Sequence, residues 1–484
     1  MLKHKRLFAT LPLALICVVV GGLTPRWGTA AAPKHGSRAL RGTLNVFDFT
    51  AFEQGPQGAR VLAAYRRAHP GVTLKILPLP SGDPTVYEEN LLNAGAAPDV
   101  VVPSYTQQVF GDLPKNTWLD LTPYLNKPNP YVTGNKRWID LFNPTINLQN
   151  SFRGTTYYVA SWAAQDAAFY YNKDIFKKVG ITRTPTTWAQ FLADCATLKK
   201  AGYIASAFPL GDPYPIAENG SFVSLLENQV MSRTFKRLDM DHNGVVDVRE
   251  LVYGIKHHIY SPMNADYQEA WKLFQQWSPY WEPNPAGVKP AIPGVPTALQ
   301  IFLHGQAATQ YGAQIVAVSL NQAKVKFHWG VFKMPQVTPA SSRYATSAEK
   351  PTGIWGAWNA VAWGVPTSTK QHGNLALALD FLQYITAPSN DVPVALENSY
   401  LPIVNGYRPN SRDTFSSTFY DLLTHPSMQF ASEATLGPEW LKERIATQQA
   451  YISGQESLNQ AMTDMQRYTD QAADRLIKLY NLHV

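Results

Sequence analysis

Oxygen-bearing side chains recur at short, regular intervals within residues 239–250. Counted from Asp239, aspartate, aspartate, asparagine, aspartate and glutamate occupy positions 1, 3, 5, 9 and 12, and glycine occupies position 6. This spacing is that of the EF-hand loop, in which the glycine allows a sharp turn and position 7 contributes a backbone carbonyl. It predicts a calcium cofactor bound by Asp239, Asp241, Asn243, Val245, Asp247 and Glu250.

The surroundings of this loop indicate what the ion would do. Helical patterns flank it over about 224–237 and 248–259. Calcium sensors normally pair two such loops, whereas this chain carries one. We therefore expect a structural ion that fastens a surface insertion. A solvated acidic turn without an ion is the alternative interpretation.

The N-terminus has the order of segments that is typical of a secretory signal peptide. A cationic stretch, 1–6, precedes an apolar run from residue 7 to about 23, and small residues follow. We expect residues 1–31 to be removed, 32–42 to form a disordered linker, and the mature protein to be secreted, extracellular or periplasmic. A retained anchor helix is the alternative. The isoleucine before Cys17 does not fit a lipidation site.

Composition limits the possible partners. Without residues 1–31 the chain has 38 basic and 35 acidic side chains, a balance too even to indicate a nucleic-acid partner. Cys195 is then the only cysteine, so no intramolecular disulfide is possible. The helical pattern around it predicts a thiol in the core. A mature chain of this length needs more than one domain.

The elements that must position any site alternate between strand and helix. Strand patterns near 44–49, 72–76 and 99–103 are separated by helical patterns near 58–68 and 87–94. This βαβαβ order favours a mostly parallel sheet covered by helices, so we expect an α/β fold class. Apolar residues at helical spacing also predict a long helix near the C-terminus, over 457–480.

Three motifs follow in order along the chain. They are Y-N-K-D-x-F beginning at Tyr171, P-x-T-W beginning at Pro185, and F-x-x-G-x-A-A beginning at Phe302. With these motifs the chain resembles the family 1 extracellular solute-binding proteins, the sugar-binding components of bacterial ABC importers. The resemblance covers the chain from Gly42 to its end. It implies a two-lobed periplasmic-binding-protein-like fold, with a hinge between two α/β lobes and the ligand in the cleft between them.

The resemblance also implies a function and a division of the chain. The expected protein is a monomer that captures a mono- or oligosaccharide and delivers it to the membrane permease subunits of an ABC transporter, without catalysis. Lobe I is expected to comprise 43–156, with 313–352 returning to it. Lobe II is expected to comprise 157–312, which includes the loop at 239–250, and then 353–484 with the C-terminal helices.

Candidate ligand-binding residues are carried over from family positions, mainly in loops that follow strands, because ligands of open α/β sheets bind at the carboxyl ends of strands. Aromatic rings can stack on the faces of a sugar, and carboxylates and amides can bind its hydroxyls. Relatives often place a tryptophan at the position of Gln314, so tryptophans farther along the chain are expected to supply stacking surfaces instead. The full set is Phe49, Phe52, Glu53, Ser104, Tyr105, Gln107, Trp162, Gln165, Asp166, Asp212, Tyr214, Gln314, Trp355, Trp358 and Trp440.

Two other functions stay open at this stage. A secreted carbohydrate-active enzyme needs only two carboxylates that are neighbours in space, although the sequence contains no H-E-x-x-H, G-x-S-x-G or G-x-G-x-x-G motif. A binding protein for another solute, such as a peptide, a polyamine, a phosphate ester or iron, is the other alternative. The aromatic-rich loops disfavour iron, which needs clustered tyrosines, histidines and carboxylates.

Overall fold

A computed structural model of the 484-residue chain places most of the sequence after residue 39. The residues that the structure describes are 40–48, 55–77, 84–102, 116–144, 151–152, 154–164, 168–208, 210, 216–242, 246–282, 297–312, 315–346, 358–398, 400–410, 417, 420 and 436–483. The expected signal peptide and most of the expected linker lie outside these residues. No helix among the described residues is both long enough and apolar enough to span a membrane.

Twelve strands are described, numbered in chain order. They are β1 (Gly42–Asp48), β2 (Val72–Leu77), β3 (Val100–Val102), β4 (Ser151–Phe152), β5 (Thr155–Thr156), β6 (Tyr158–Ala164), β7 (Ala168–Asn172), β8 (Ile204–Ala207), β9 (Ala307–Gly312), β10 (Trp329–Lys333), β11 (Trp358–Gly364) and β12 (Leu401–Pro402).

Sixteen α-helices are described, again in chain order, together with short 3₁₀ helices at Trp138–Leu141 and Ser278–Tyr280. The α-helices are α1 (Pro56–Ala68), α2 (Pro84–Asn93), α3 (Thr122–Leu125), α4 (Lys173–Lys178), α5 (Trp188–Lys200), α6 (Ile216–Val230), α7 (Ser232–Leu238), α8 (Val248–Lys256), α9 (Ala265–Trp277), α10 (Thr297–Leu303), α11 (Ile315–Ala323), α12 (Ser368–Gln371), α13 (Leu375–Ile385), α14 (Pro388–Glu397), α15 (Pro438–Ile452) and α16 (Leu458–Tyr480).

The first sheet has six strands in the order β12-β6-β11-β3-β1-β2. Strand β1 pairs in parallel with β2 and β3, as the opening βαβαβ pattern predicts. Strand β11 runs antiparallel to β3 and β6, and β12 runs antiparallel to β6. The α/β fold class is therefore confirmed, and the antiparallel strands come from much later in the chain.

Both faces of this sheet are covered, because successive side chains of a strand point to opposite faces. Val46 and Val100 belong to a buried cluster with residues of α1 and α13. Their neighbours Phe47 and Val101 belong to a second buried cluster, which continues into the rest of the chain. Near-continuous apolar strands such as β3 are expected when helices cover both faces.

The second sheet has four strands in the order β10-β7-β9-β8. Its core is strongly aromatic: the rings of Phe169 and Phe332 stack with centroids 5.1 Å apart, and Phe222 lies 4.6 Å from Trp277. Cys195, on α5, is buried in the same core, as its helical pattern predicts.

The C-terminal helices α15 and α16 pack on the second sheet's helices, α15 against α6 and α16 against α8. Inside the first of these contacts Arg444 Nη2 lies 2.8 Å from Glu227 Oε1, and both side chains are inaccessible to solvent. The Arg444 guanidinium also lies over the ring of Trp440, 5.1 Å from its centroid. A buried, hydrogen-bonded ion pair thus joins α15 to α6.

The division of the chain differs from the one expected from sequence order. The stretch 313–352 was expected in lobe I, but its strand β10 pairs with β7 in the second sheet. The stretch 353–484 was expected in lobe II, but its strands β11 and β12 complete the first sheet. Strand pairing rather than order along the chain assigns a segment to a sheet. Segments 165–167 and 334–357 therefore join the two sheets, and 403–437 leads from the first sheet to the C-terminal helices that pack on the second sheet's helices.

Candidate functional site

The carboxyl ends of four strands meet at one edge of the first sheet. Strands β1, β2 and β3 are parallel, and β6 runs with them because β11 is antiparallel to both β3 and β6. Strands β11 and β12 begin at this edge, where Trp358 is opposite Ala164 and Leu401 is opposite Ala163. Loops that leave or enter this edge therefore start close together.

Most ligand candidates of the first lobe stand in the segments attached to this edge. Segment 49–54 follows β1, 103–115 follows β3, 165–167 follows β6, and 347–357 precedes β11. The side chains in question lie outside the described residues: Phe49, Phe52, Glu53, Ser104, Tyr105, Gln107, Gln165, Asp166, Trp355 and, at the start of β11, Trp358. Their roles stay predictions, whereas the convergence of the strand ends that carry them is observed.

An equivalent edge exists in the second sheet. Ala168, the first residue of β7, pairs with Gly312 at the end of β9 and with Lys333 at the end of β10. Strand β8 is parallel to β9 and ends at the same side. The segments with the candidates Asp212, Tyr214 and Gln314 follow β8 and β9 here, and these three residues also lie outside the described part of the chain. Segment 165–167 joins this edge directly to that of the first sheet.

Trp162 is the one candidate at the first edge whose side chain is described. It is fully buried; its indole Nε1 donates to Asp391 Oδ1 at 2.8 Å, and its ring stacks on Tyr400 with centroids 5.5 Å apart. Burial, and then the nearby charge of buried Asp48, raises the pKa of the Tyr400 hydroxyl. The prediction that Trp162 contacts ligand is therefore wrong: the ring ties β6 to α14 beneath the surface.

Trp440 is likewise in the core rather than at a binding surface. It is 1% exposed, and its indole Nε1 donates to Thr469 Oγ1 at 3.0 Å across the α15–α16 contact. The prediction that it supplies a stacking surface for sugar is wrong. The glycine and proline just before Trp440 indicate a loop, but Pro438 begins α15 and Trp440 lies in its first turn.

A residue that sequence reasoning missed lies beside the edge of the first sheet. Glu397, at the end of α14, accepts a hydrogen bond from the backbone N–H of Gln57 at 2.8 Å through Oε2. That N–H is one of the donors that the first turn of α1 leaves without a helical partner. A Cβ atom on Gly55 would overlap the Glu397 carboxylate. No local signal in the sequence links these residues.

The predicted calcium loop connects α7 to α8, as its helix–loop–helix pattern requires. Carboxylate oxygens of Asp239, Asp241 and Glu250 all lie within 4.8 Å of one another. Asp247 Oδ1 accepts the backbone N–H of Glu250 at 2.8 Å and Glu250 Oε2 accepts that of Asp247 at 3.0 Å, which forms a capping box at the start of α8. The remaining two predicted ligands, Asn243 and Val245, lie outside the described residues.

The Glu250 carboxylate, at the end of the loop, is joined by hydrogen bonds to the start of the loop. Its Oε1 accepts the backbone N–H groups of Met240 at 2.7 Å and Asp241 at 3.3 Å, and the residue is 1% exposed. Burial raises the pKa of the Glu250 carboxyl, and the hydrogen bonds from Asp247, Met240 and Asp241 oppose that rise. Three carboxylates gathered in this way favour a cation, and oxygen donors are those that calcium prefers.

The two sheets, their mixed strand directions and the crossings between them define a periplasmic solute-binding protein fold. Solved structures of such proteins superpose over nearly their whole length. RafE from Streptococcus pneumoniae is 15% identical, with a TM-score of 0.65 over 91% of this chain and 100% of that chain. The GacH receptor of Streptomyces glaucescens is 18% identical, with a TM-score of 0.62 over 92% of this chain and 100% of that one.

The particular family follows from the sequence itself. The model of the bacterial extracellular solute-binding protein family matches residues 53–392, and the chain belongs to this family. A binding protein of Brucella abortus (strain 2308) is 28% identical over 160 residues, which are 33% of this chain. That alignment spans 36% of the relative. Members of the family bind solutes and in general are not enzymes.

Sugars are the ligands named for several of the structural neighbours. RafE has been solved in complex with raffinose, and GacH in complex with acarbose. Another neighbour, AcbH, is described as having an exclusive preference for β-D-galactopyranose; it is 14% identical, with a TM-score of 0.62 over 90% of this chain and 98% of that chain.

Proposed function

We propose that this protein captures a mono- or oligosaccharide outside the cell and delivers it to the permease subunits of an ABC importer. The observation that carries the proposal is the meeting of strand ends at two sheet edges joined by segment 165–167. Ligands of open α/β sheets bind at such carboxyl ends, and pockets occur preferentially between domains. The sugars bound by RafE and GacH support the choice of ligand class.

The candidates in the segments at these edges suit a sugar. Phe49, Phe52, Tyr105, Tyr214 and Trp355 offer flat apolar faces that can stack on the C–H-rich face of a pyranose. Carboxylates and amides among the remaining candidates can accept and donate hydrogen bonds to its hydroxyls. A few placed polar groups among aromatic walls are the usual composition of a small-molecule site. The protein would act as a monomer, without chemical change to its ligand.

We also propose that the loop at 239–250 binds calcium and that this ion is structural. The spacing of ligands in the sequence and the gathering of Asp239, Asp241 and Glu250 support it. The loop lies between α7 and α8, and α8 packs against the C-terminal helix α16. Through α7, α8 and α16 the loop is attached to the second sheet's helices. An ion there would stiffen the α7–α8 connection.

A ligand screen tests the main proposal. Thermal shift assays with neutral and acidic mono-, di- and oligosaccharides should show a rise in melting temperature for one sugar class, since a ligand at 100 times its Kd stabilises by about 2.7 kcal/mol. Calorimetric titration should then give a micromolar or tighter Kd with one site. Peptides, polyamines and phosphate esters serve as comparison ligands, and stabilisation by one of these alone would overturn the sugar assignment.

Turnover is the second test. Long incubation of the stabilising sugar with a catalytic amount of protein should leave it unchanged by chromatography. New products would favour the carbohydrate-active enzyme, and the carboxylates Glu53, Asp166 and Asp212 would then be the first to replace. Binding without products, together with transport that depends on the cognate permease, would support the receptor function.

A further inference from the structure

Six exposed lysines lie at one end of the second sheet, and they are named here the lysine surface. They come from the helix that follows β7, from the end of α5 and from the loop before β10. The six residues are Lys173, Lys177, Lys178, Lys200, Lys324 and Lys326. Nothing in the proposed transport of a solute uses these side chains.

Strand directions place the lysine surface away from the candidate binding edge of this sheet. Asn172, the last residue of β7, pairs with Trp329, the first of β10, and β8 and β9 also begin at this end. The candidate binding edge is at the other end of the same strands, where Ala168 pairs with Gly312. A partner bound at the lysine surface would therefore leave that edge free.

The lysines stand next to these strand ends in the sequence. Helix α4 follows β7 directly and contains Lys173, Lys177 and Lys178. Lys200 is the last residue of α5, shortly before β8 begins, and the remaining two lysines lie in the connection from α11 to β10. Neighbouring strands are about 4.8 Å apart, so the four strand ends span about 14 Å.

Contacts show that α4 and the loops before β9 and β10 are side by side. The backbone N–H of Lys173 donates to His328 O at 2.8 Å. A Cβ atom on Gly330 would lie 2.6 Å from Lys173 Cε, so the stem of this lysine lies across β10. A Cβ atom on Gly305, shortly before β9, would lie 3.5 Å from the ring of Phe327. The lysines thus belong to one continuous surface.

The positive charge of this surface has little compensation. Asp174 is the one acidic residue in α4, and no acidic residue occurs in 297–346, which includes β9, β10 and the loops before them. Asp174 Oδ2 accepts the backbone N–H of His328 at 3.0 Å, and the charge of Lys178 also acts on this carboxylate. Within the described part of the chain, none of the six lysines is in an ion pair.

The type of cation limits the type of partner. The lysine ammonium is a point charge, without the planar fork by which arginine binds one phosphate or carboxylate through two hydrogen bonds. Six such charges on an open surface attract an extended anion more effectively than they fix one small anion. A polymer with many negative charges also releases its counterions when lysines replace them. The lysine surface therefore suits a polyanion.

A soluble polymer fits this surface better than a membrane does. Stable attachment to a bilayer combines a basic patch with a group that enters the hydrocarbon. The aromatic rings at this end, Phe327 and Trp329, are partly buried and pack on the core. The exposed large apolar side chains of the described residues are in other elements: Met240, Met263, Leu396 and Leu479.

We propose that the lysine surface binds a linear polyanion of the cell envelope, a polymer with closely spaced phosphate or carboxylate groups. The polymer would hold the protein near the cell while the candidate binding edges stay open to solute. This inference goes beyond the proposed sugar transport and rests on it only for a location outside the cell. The binding is electrostatic, so it should weaken as salt concentration rises.

Binding of fluorescently labelled inorganic polyphosphate tests the proposal, because polyphosphate contains no sugar that could enter the candidate cleft. The full chain should bind at low salt, and the logarithm of its affinity should fall linearly with the logarithm of salt concentration. The triple variant Lys177→Gln, Lys324→Gln, Lys326→Gln should bind at least about tenfold more weakly, and its salt slope should be smaller by about 2. These side chains are exposed, so the melting temperature should not change.

A matched variant removes the same charge from the first lobe. Lys75→Gln, Lys127→Gln, Lys136→Gln also neutralises three exposed lysines and should leave the affinity for polyphosphate almost unchanged. Equal weakening by the two triple variants would show that net charge alone attracts the polymer, and this would overturn the proposal.

Two further probes identify the chemistry of the partner. Long polygalacturonate, with excess trigalacturonate to occupy any cleft site, is the carboxylate polymer. Binding of it that depends on the lysine surface would support the proposal even without polyphosphate binding. Phosphatidylglycerol vesicles are the membrane probe. A parent protein that binds neither polymer overturns the proposal, and vesicle binding in that case would assign a membrane instead.

The sugar screen described above separates this inference from the transport proposal. A stabilising sugar should bind the parent and the lysine-surface variant equally, because the two sites are at opposite ends of the strands. Sugar binding without polymer binding overturns this inference alone. Polymer binding without binding of any sugar overturns the sugar assignment alone.

Discussion

The carboxylate of Glu397 accepts a hydrogen bond from the backbone N–H of Gln57, which lies 340 residues earlier in the chain. The end of α14 thereby caps the start of α1. Gly55, the N-cap residue of α1, offers no side chain for this purpose, and the space that its Cβ would fill is occupied by Glu397. A distant carboxylate replaces a local capping side chain here.

A double-mutant cycle measures this cap. Glu397→Ala should lower the free energy of unfolding by about 1 kcal/mol, as the loss of a helix cap does, and Gly55→Ala should do the same by displacing the carboxylate. The two changes should be strongly non-additive, because each removes the same contact. Denaturant unfolding gives all four free energies. Additive effects would show that the two residues act independently.

Removal of the proposed calcium ion should lower stability and leave the proposed sugar affinity almost unchanged. An ion that binds only the folded state stabilises it by mass action, so a chelator should lower the melting temperature. Glu250→Gln should do likewise and make the chelator ineffective. Glu439→Gln, an exposed carboxylate in the first turn of α15, is the matched control. A change of about tenfold in sugar affinity on chelation, roughly 1.4 kcal/mol, would contradict a purely structural ion.

Two tryptophans with different positions should respond differently to substitution. Trp440→Ala should destabilise the fold by about 3–5 kcal/mol, because it leaves a cavity in a packed core. Trp355→Ala should weaken sugar binding by about 1–3 kcal/mol with little change in melting temperature. Calorimetric titration at a temperature where both variants are folded separates the effects. Equal sugar affinity of Trp355→Ala and the parent would remove Trp355 from the site.

Removing Arg444 alone from its buried ion pair with Glu227 should destabilise the protein more than removing both partners. Arg444→Met removes the cation that faces the buried Glu227 carboxylate and should cost about 3–5 kcal/mol. The double variant Arg444→Met, Glu227→Leu should be more stable than Arg444→Met alone. Arg467→Gln, which breaks the exposed pair with Asp464, should cost at most about 1 kcal/mol. A double variant no more stable than Arg444→Met alone would contradict this expectation.

Cys195 should be unreactive in the folded protein. Burial raises the pKa of its thiol, and the thiolate is the reactive form. A Cys17→Ser variant treated with a thiol reagent at about pH 8 should therefore be labelled only in denaturant. The ratio of the two labelling rates reports how often the core around α5 opens. Rapid labelling of the native protein would show that α5 is not packed as described.

Local patterns in the sequence predicted local structure well. The helix expected over 457–480 is α16, Leu458–Tyr480, and the strand expected near 72–76 is β2, Val72–Leu77. Spacing of apolar residues determines such elements without reference to the rest of the chain. One helix expected over 224–237 is instead two, because Met231 interrupts it between α6 and α7.

Pairings between distant segments were not predictable in this way. Tyr65 and Asp380 are 315 residues apart, and their hydrogen bond has no counterpart in any local motif. Trp440 was expected at a binding surface because its neighbours in sequence suggest a loop, yet α15 is packed on α6. The proposed calcium loop is a different kind of prediction, since all of its expected ligands come from twelve consecutive residues; its binding of calcium stays a prediction.

The late return of β11 and β12 to the first sheet has a consequence for how the protein is made. Strand β3 pairs with β11 through Val101 and Gly364, so this side of β3 stays unpaired until β11 has been synthesised. The side of β6 that pairs with β11 likewise stays unpaired until then. During synthesis these edges stay open while the whole second sheet emerges. Exposed strand edges invite wrong pairing, and long-range contacts slow folding. The first sheet is therefore completed only after the second sheet, although its first strands come first in the chain.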